Sequence, residues 1–239
     1  MYLGDCLELM QTLPDASVDM VMCDLPYGTT QNKWDSVIPF EPLWAQYRRV
    51  CAGAIVLTAA QPFTSALVMS NPRDFRYAWV WEKTIASGFL NAKKQPLRAH
   101  EDLLVFATNA PPYFPQMIER AERKVSRRVG TKTTNYGAAD KETFYDSTAR
   151  YPRSVQLFPS RTDGPALHPT QKPVALMEYL IRTYTNVGDT VLDNCMGSGT
   201  TGVACVRTGR KFIGMERDPV HFAKAWDRIY SANLTDSTT

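Results

Sequence analysis

Two rhythms of hydrophobic and polar positions run along this chain. Residues 18–23 form an apolar run that closes on Asp24, and residues 54–58, 77–81 and 103–106 form three more. Each reads as a buried strand. Residues 42–51 and 61–70 carry helical spacing, with Pro62 suited to a first turn. Met177, Leu180, Ile181 and Tyr184 mark one helix face at i, i+3, i+4, i+7. Residues 190–193 and 211–216 are two later strands, separated by a glycine-rich turn that opens a helix. Asp218 then caps a last helix with Pro219 at its first position, and Phe222, Trp226 and Ile229 are expected to face the core. Residues 231–239 read as a frayed, flexible tail. Alternation of strand and helix predicts an α/β sheet.

Two stretches break the rhythm. Between the third and fourth strands lies a long segment with Gly88, Asn91, Lys93, Lys94, Pro96 and Arg98. A loop of that length is usually functional. Residues 111–159 are rich in Arg, Thr, Tyr and Pro, and read as an inserted, mostly irregular region. Charge sharpens this reading. The chain of 239 residues carries a net charge of only +3. From Pro111 to Arg153 there are nine basic residues against five acidic, and the remainder is 18 against 19. All of the positive excess sits in the insert, as either a solvated surface or a polyanion site.

Composition adds exclusions. Hydrophobic residues are 44% and charged residues 21%, which fits a folded domain of ordinary composition. No apolar run nears the ~18 residues of a membrane span, and the N-terminus lacks the pattern of a signal peptide. The five cysteines are widely spaced without a C-x-x-C pair, so no metal site or disulfide framework is expected and a cytoplasmic setting is.

Candidate chemistry lies at two strand ends. Asp193-Asn194-Cys195-Met196-Gly197-Ser198-Gly199-Thr200-Thr201-Gly202 is a strand end, a tight turn and a helix start. Gly197 and Gly199 let the backbone approach a ligand, and the helix N-terminus supplies amide donors. Glu216 follows at the end of the next strand, where an acid accepts ribose hydroxyls. Asp193 would repel a pyrophosphate but pair with an ammonium. A ribose, a cationic amino-acid end and no phosphate describe S-adenosylmethionine. Earlier, Asp24-Leu25-Pro26-Tyr27-Gly28 ends a buried strand. Asp24 and the Leu25 carbonyl make two acceptors beside the flat Tyr27 ring, an arrangement suited to an extruded nucleobase. A plain Pro-Tyr-Gly turn is the alternative.

Together these motifs resemble the β-group DNA amino-methyltransferases, whose blocks run in permuted order. Asp24 to Tyr27 match the catalytic D-P-P-Y block, and His168-Pro169-Thr170-Gln171-Lys172-Pro173 match the block before the first cofactor strand. Asp193 to Thr201 match D-P-F-x-G-S-G-T-T, Gly214 to Asp218 match the ribose block, and Gly4 to Glu8 match the block before the catalytic strand. The resemblance implies a Rossmann-like, doubly wound, mostly parallel seven-stranded sheet in circularly permuted order. It implies a catalytic half over residues 1–110, a target-recognition insert over 111–160, a cofactor half over 161–230 and the tail over 231–239. The N-terminal Tyr2-Leu3 segment is expected to be the strand beside that of Glu216.

The implied roles follow. Asp24, Leu25, Pro26 and Tyr27 are catalytic. Asp5, Lys172, Asp193, Cys195, Gly197, Ser198, Gly199, Thr200, Thr201 and Glu216 bind S-adenosylmethionine, with a surface helix cap the other reading of Asp5. Lys93, Lys94, Arg98, Arg123, Lys124, Arg127, Arg128 and Lys132 hold DNA. The implied reaction is methylation of adenine N6 in double-stranded DNA by base flipping. Cytosine N4 methylation and an inert DNA-binding protein are the alternatives, and Asp24, where cytosine enzymes usually have Ser, favours adenine. The resemblance also implies a prokaryotic or phage origin and allows a homodimer and a cognate restriction endonuclease. Three departures from the family pattern stand out, namely Leu25 for proline, Asn194 for proline and Cys195 for phenylalanine. Cys195 reads as packing and not as a nucleophile.

Overall fold

The computed structural model describes residues 1–29, 35–128, 132–133, 137–138, 143–160 and 171–236. Its elements in chain order are β1 (Tyr2–Leu3), α1 (Cys6–Gln11), β2 (Val18–Cys23), α2 (Phe40–Val50), β3 (Cys51–Ala59), α3 (Phe63–Ser70), β4 (Phe75–Ser87), a short 3-10 turn (Phe89–Asn91) and β5 (Arg98–Phe106). Then come β6 (Ile118–Arg128), β7 (Lys132–Thr133), β8 (Gly137–Ala138), β9 (Thr143–Arg150), β10 (Val155–Phe158), α4 (Val174–Tyr184), β11 (Thr190–Asp193), α5 (Thr200–Thr208), β12 (Lys211–Glu216) and α6 (Pro219–Asp236).

Eight strands form one sheet in the order β1-β12-β11-β2-β3-β5-β4-β10. Only β5 runs against its neighbours. The strands that the sequence patterning marks are all present, and β1 pairs in parallel with β12. The expected count of seven is one short. The additional strand is β10, which lies parallel beside β4 at the sheet edge. Its residues alternate only between exposed and half-buried, so it carries no apolar rhythm to read.

Alternation along the strands builds two cores. Val21, Cys23, Ile55, Leu57, Leu104 and Phe106 face α1, α2 and α3. Met20, Met22, Ala54, Val56, Leu103 and Val105 face α4, α5 and α6. Central strands buried on both sides read as continuous apolar runs, as parallel sheets require. Two details of α6 depart from the sequence reading. Trp226 is 48% exposed, and Ala225 and Ile229 are its buried residues. The helix also continues to Asp236, through much of the expected tail.

The chain crosses over in opposite directions on either side of the β11–β2 pair. From β11 it passes through α5 to β12, and from β2 through α2 to β3. Such a reversal opens a crevice beyond the carboxyl ends of the two strands. Asp193 ends β11, and Asp24 follows the last residue of β2. The topology therefore sets these two carboxylates side by side.

Residues Pro115–Arg153 form a separate compact unit, narrower than the expected 111–160. It is also more regular than expected. β6 and β9 make an antiparallel ribbon, and β7 pairs with β8. Residues 121–127 are all exposed, so neither face carries an apolar stripe for the sequence to show. The long loop expected after Trp81 is likewise a hairpin. β4 and β5 stay paired out to Ser87 and Arg98, and a tight tip joins them.

α6 can lie close to α5 only because Gly202 has no side chain. A Cβ on Gly202 would sit 2.3 Å from Ile229 Cδ1 and 2.8 Å from Phe212 Cε1. Gly202→Ala is expected to destabilise the protein by about 1–3 kcal/mol through overpacking. Equilibrium denaturant unfolding measures this, and an unchanged midpoint would show that α6 yields freely.

Candidate active site

One cavity of about 670 Å³ opens at the carboxyl edge of the sheet. Asp5, Asp24 to Tyr27, Lys172, Asp193, Cys195, Gly197, Ser198, Thr200, Thr201 and Glu216 all line it. Gly199 does not, but its left-handed φ of 75° turns the chain into α5. The turn before that helix is held from two sides. Asp193 accepts from the Thr201 hydroxyl at 2.6 Å and from the Cys195 amide at 3.1 Å. Glu216 accepts from the amides of Gly197 at 3.0 Å and Asp218 at 2.9 Å. Arg228 of α6 donates to the Ser198 carbonyl and the Thr200 hydroxyl, both at 3.0 Å. Nothing in the local pattern singles out Arg228, because its partners lie 28 and 30 residues earlier in the chain.

The departures from the family pattern find local explanations. The Asn194 side chain accepts from the Tyr47 hydroxyl at 2.6 Å, which ties the turn to α2 where a proline would stiffen it. Leu25 is buried and anchors the other turn in the core. Contact with Cys23 and burial hold the Cys195 thiol in its protonated form, as packing requires and as a nucleophile does not. Asp5 caps α1 through the Leu7 amide at 2.8 Å, so it serves as a cap while lining the cavity.

Asp24 sits in a dense net of donors. Its Oδ1 accepts from the Thr58 hydroxyl, and the Tyr27 hydroxyl lies 3.0 Å from the same oxygen. Its Oδ2 accepts from Lys172 Nζ at 2.6 Å. A carboxylate offers about four lone-pair sites, so capacity is left for a further donor. The Tyr27 ring stacks on Phe63 at 5.0 Å and 21°, and the Lys172 ammonium stands over the ring at 5.8 Å from its centroid. Burial and the neighbouring Asp24 raise the Tyr27 hydroxyl well above its ordinary pKa, which keeps it a donor.

Lys172, a cofactor residue on the sequence reading, lines the cavity with its ammonium between Asp24 at 2.6 Å and Glu101 Oε2 at 3.4 Å. Burial alone would lower its pKa. The two carboxylates outweigh burial and set its pKa above the ordinary value. Glu101 also pairs with Lys83, whose ammonium stands over the Trp81 ring at 5.0 Å. Sequence reasoning missed Glu101 and Lys83, which lie within an apparent loop and whose partners are remote in sequence. The rest of the matching block, His168 to Thr170, lies outside the described residues.

The expected DNA contacts separate into groups. Lys93, Lys94 and Arg98 are exposed on the β4–β5 hairpin. Arg123 is paired with Asp146 through both ends of its guanidinium and so is not an unpaired phosphate ligand. Lys124 and Arg127 are exposed on β6, three positions apart, and therefore on opposite faces of the ribbon. The side chains of Arg128 and Lys132 lie outside the described residues. The basic run is thus spread over two faces of a strand, because a period of 2 separates neighbours that look clustered in sequence.

Among the described residues no helix is long and apolar enough to cross a membrane, and no group of three or more His, Cys, Asp or Glu could hold a metal ion. A family model described as DNA methylase matches residues 18–226. The chain is 45% identical over 69 residues to the Type II methyltransferase M2.DpnII of Streptococcus pneumoniae, a match spanning 29% of this chain and 26% of that protein. The structure of an M1.HpyAVI–SAM complex superposes with a TM-score of 0.63 at 26% identity, covering 95% of this chain and 97% of that one. The PvuII DNA methyltransferase, titled cytosine-N4-specific, gives a TM-score of 0.66 at 17% identity over 98% of this chain and 90% of that one, a likeness of fold.

Burial pushes the Asp193 carboxyl up to about 6, against the opposing bonds from Thr201 and the Cys195 amide. In the unfolded chain the same group ionises near 3.8. Between these values the folded state binds more protons, so this group's contribution to stability falls as pH rises and levels off above 6. The expected loss is about 3 kcal/mol, near two pKa units. Denaturant unfolding from pH 4 to 7 should show a flatter profile for Asp193→Asn than for the parent. Identical slopes would remove the buried charge from the account.

Proposed function

The chain belongs to the DNA methylase family, and from that premise we propose that it transfers a methyl group from S-adenosylmethionine to the N6 amino group of adenine in double-stranded DNA. The observation that carries this reading is the pairing of two different acidic turns at adjacent strand ends. The turn after β11 starts at Asp193 and is bonded through its Gly197 amide to Glu216 at the end of β12. The turn after β2 offers a carboxylate fixed by Thr58, Tyr27 and Lys172.

The cavity residues fit the cofactor by their chemistry. Asp193 suits its ammonium, since an added positive charge relieves a buried carboxylate. Glu216 suits ribose hydroxyls, because its two oxygens are already aligned by backbone amides and keep lone pairs to spare. Asp193 at the glycine turn would repel a pyrophosphate, which disfavours a dinucleotide. When bound, S-adenosylmethionine supplies an activated methyl group.

The remaining work falls to the protein. Asp24 accepts one hydrogen of the extruded amino group and the Leu25 carbonyl accepts the other, which leaves the nitrogen lone pair free. Asp24 also balances the positive charge that builds on that nitrogen. Its fixed orientation means little reorganisation is needed at the moment of reaction. Tyr27, which lines the cavity, packs beside the base. Burying the base and excluding water from the cavity strengthens each of these contacts. The basic hairpin and the 115–153 unit supply phosphate contacts, which position DNA and make its binding depend on salt.

Incubation with labelled S-adenosylmethionine and mixed-sequence DNA, followed by nucleoside mass spectrometry, tests the reading. N6-methyladenine is the expected product. N4-methylcytosine would reassign the base, and no methyl transfer to any DNA would overturn the activity. Asp24→Ala should keep cofactor affinity and lose nearly all transfer, at least about 100-fold. Glu216→Ala should weaken cofactor binding about 10–100-fold, as loss of charge-assisted hydrogen bonds implies, and calorimetry separates the two variants.

A further inference from the structure

The hairpin of β4 and β5 ends in an unusual surface. Gly88, at a left-handed φ of 89°, reverses the chain into the 3-10 turn. Backbone bonds from the Asn91 amide to the Gly88 carbonyl at 3.0 Å and from the Lys94 amide to the Asn91 carbonyl at 2.8 Å close the tip. At its apex Phe89 is 76% exposed and Leu90 is 85% exposed. Two adjacent large apolar side chains thus stand in solvent on a backbone-bonded turn. From Thr84 to His100 the chain carries Lys93, Lys94 and Arg98 and no acidic residue. Just before the tip, Ile85, Ala86 and Ser87 line the active-site cavity. The apex is therefore apolar, its flank is basic, and its root is the wall of the site.

We infer that Phe89 and Leu90 form the wedge that enters the DNA stack where the target base has left it, with Lys93, Lys94 and Arg98 on the adjacent phosphates. This rests on the base-extruding activity above and names the group that supports extrusion. An extruded base leaves a gap and an orphaned partner base. An apolar side chain that fills the gap recovers part of the lost stacking, and apolar wedges between base steps are a general device of proteins that deform DNA. The positive flank is complementary to a polyanion, which selects DNA over an apolar protein surface as the occupant. The hairpin's root supports the same assignment. Glu101 of β5 binds Lys83 of β4 and lies 3.4 Å from Lys172, so the hairpin is anchored to the ion pair on Asp24.

The test compares the parent with a Phe89→Ala, Leu90→Ala double variant. Both side chains are exposed, so the fold is expected to hold, and unchanged cofactor affinity by calorimetry checks it. The target adenine is first located by sequencing DNA methylated by the parent. Methyl transfer is then measured on a fully paired duplex and on one with an abasic site opposite the target, where no partner base is orphaned. The variant should lose at least about tenfold on the paired duplex and return to within about threefold of the parent on the abasic one. Equal rates on the paired duplex, or an equal loss on both, would overturn the wedge. A lowered oligomeric mass in the variant with parental rates on both duplexes would assign the apex to a second copy of the chain instead. If the parent itself methylates no duplex, the functional reading fails, and the wedge with it.

Discussion

The ion pair between Lys172 and Asp24 is the constraint on which the site depends. It joins a residue just before α4 to the strand end after β2, across 148 positions of sequence. A buried pair is an uncertain source of stability, because desolvation opposes the attraction, but removing one partner leaves a costly unpaired charge. Here the pair is not isolated. Lys83, Glu101, Lys172 and Asp24 alternate in sign, so each buried charge has an opposite neighbour. The net effect is an Asp24 carboxylate held in one orientation.

That constraint is useful only at this point of the fold. The reversal of crossover direction between β11 and β2 places Asp24 beside Asp193, and the cavity forms between turns with separate tasks. The turn after β11 is held by its own backbone, by Thr201 and by Arg228. The turn after β2 is held by side chains from β3 and from the segment before α4. On the proposed reading one turn serves the cofactor and the other the base, so single substitutions should separate binding from transfer.

Much of this was legible in the sequence, for physical reasons. Central strands buried on both faces give continuous apolar runs, so β2, β3, β11 and β12 stand out. Glycine turns and strand-end carboxylates are local, so Asp24, Asp193 and Glu216 could be named and the cavity gathers them. What escaped depends on distance or on solvent. The contact of Lys172 with Asp24 has no local signature, because 148 positions separate the two. Glu101, Lys83 and Arg228 escaped for the same reason. β6, β9, β10 and the outer part of β4 read as irregular in sequence, since strands wetted on both faces show no apolar alternation. Trp226 was assigned to the core on helical spacing alone, while the smaller Ala225 takes the buried position.

The central claim is that Lys172 acts on Asp24 and not on the cofactor. The most direct measurement is Lys172→Met, a change that keeps the aliphatic length and removes the charge, read by calorimetry for S-adenosylmethionine affinity and by single-turnover methyl transfer. The account predicts an unchanged cofactor affinity and a transfer rate lower by about 100-fold or more at saturating cofactor. A weakened cofactor affinity with a parental rate at saturation would contradict it and return Lys172 to the cofactor site.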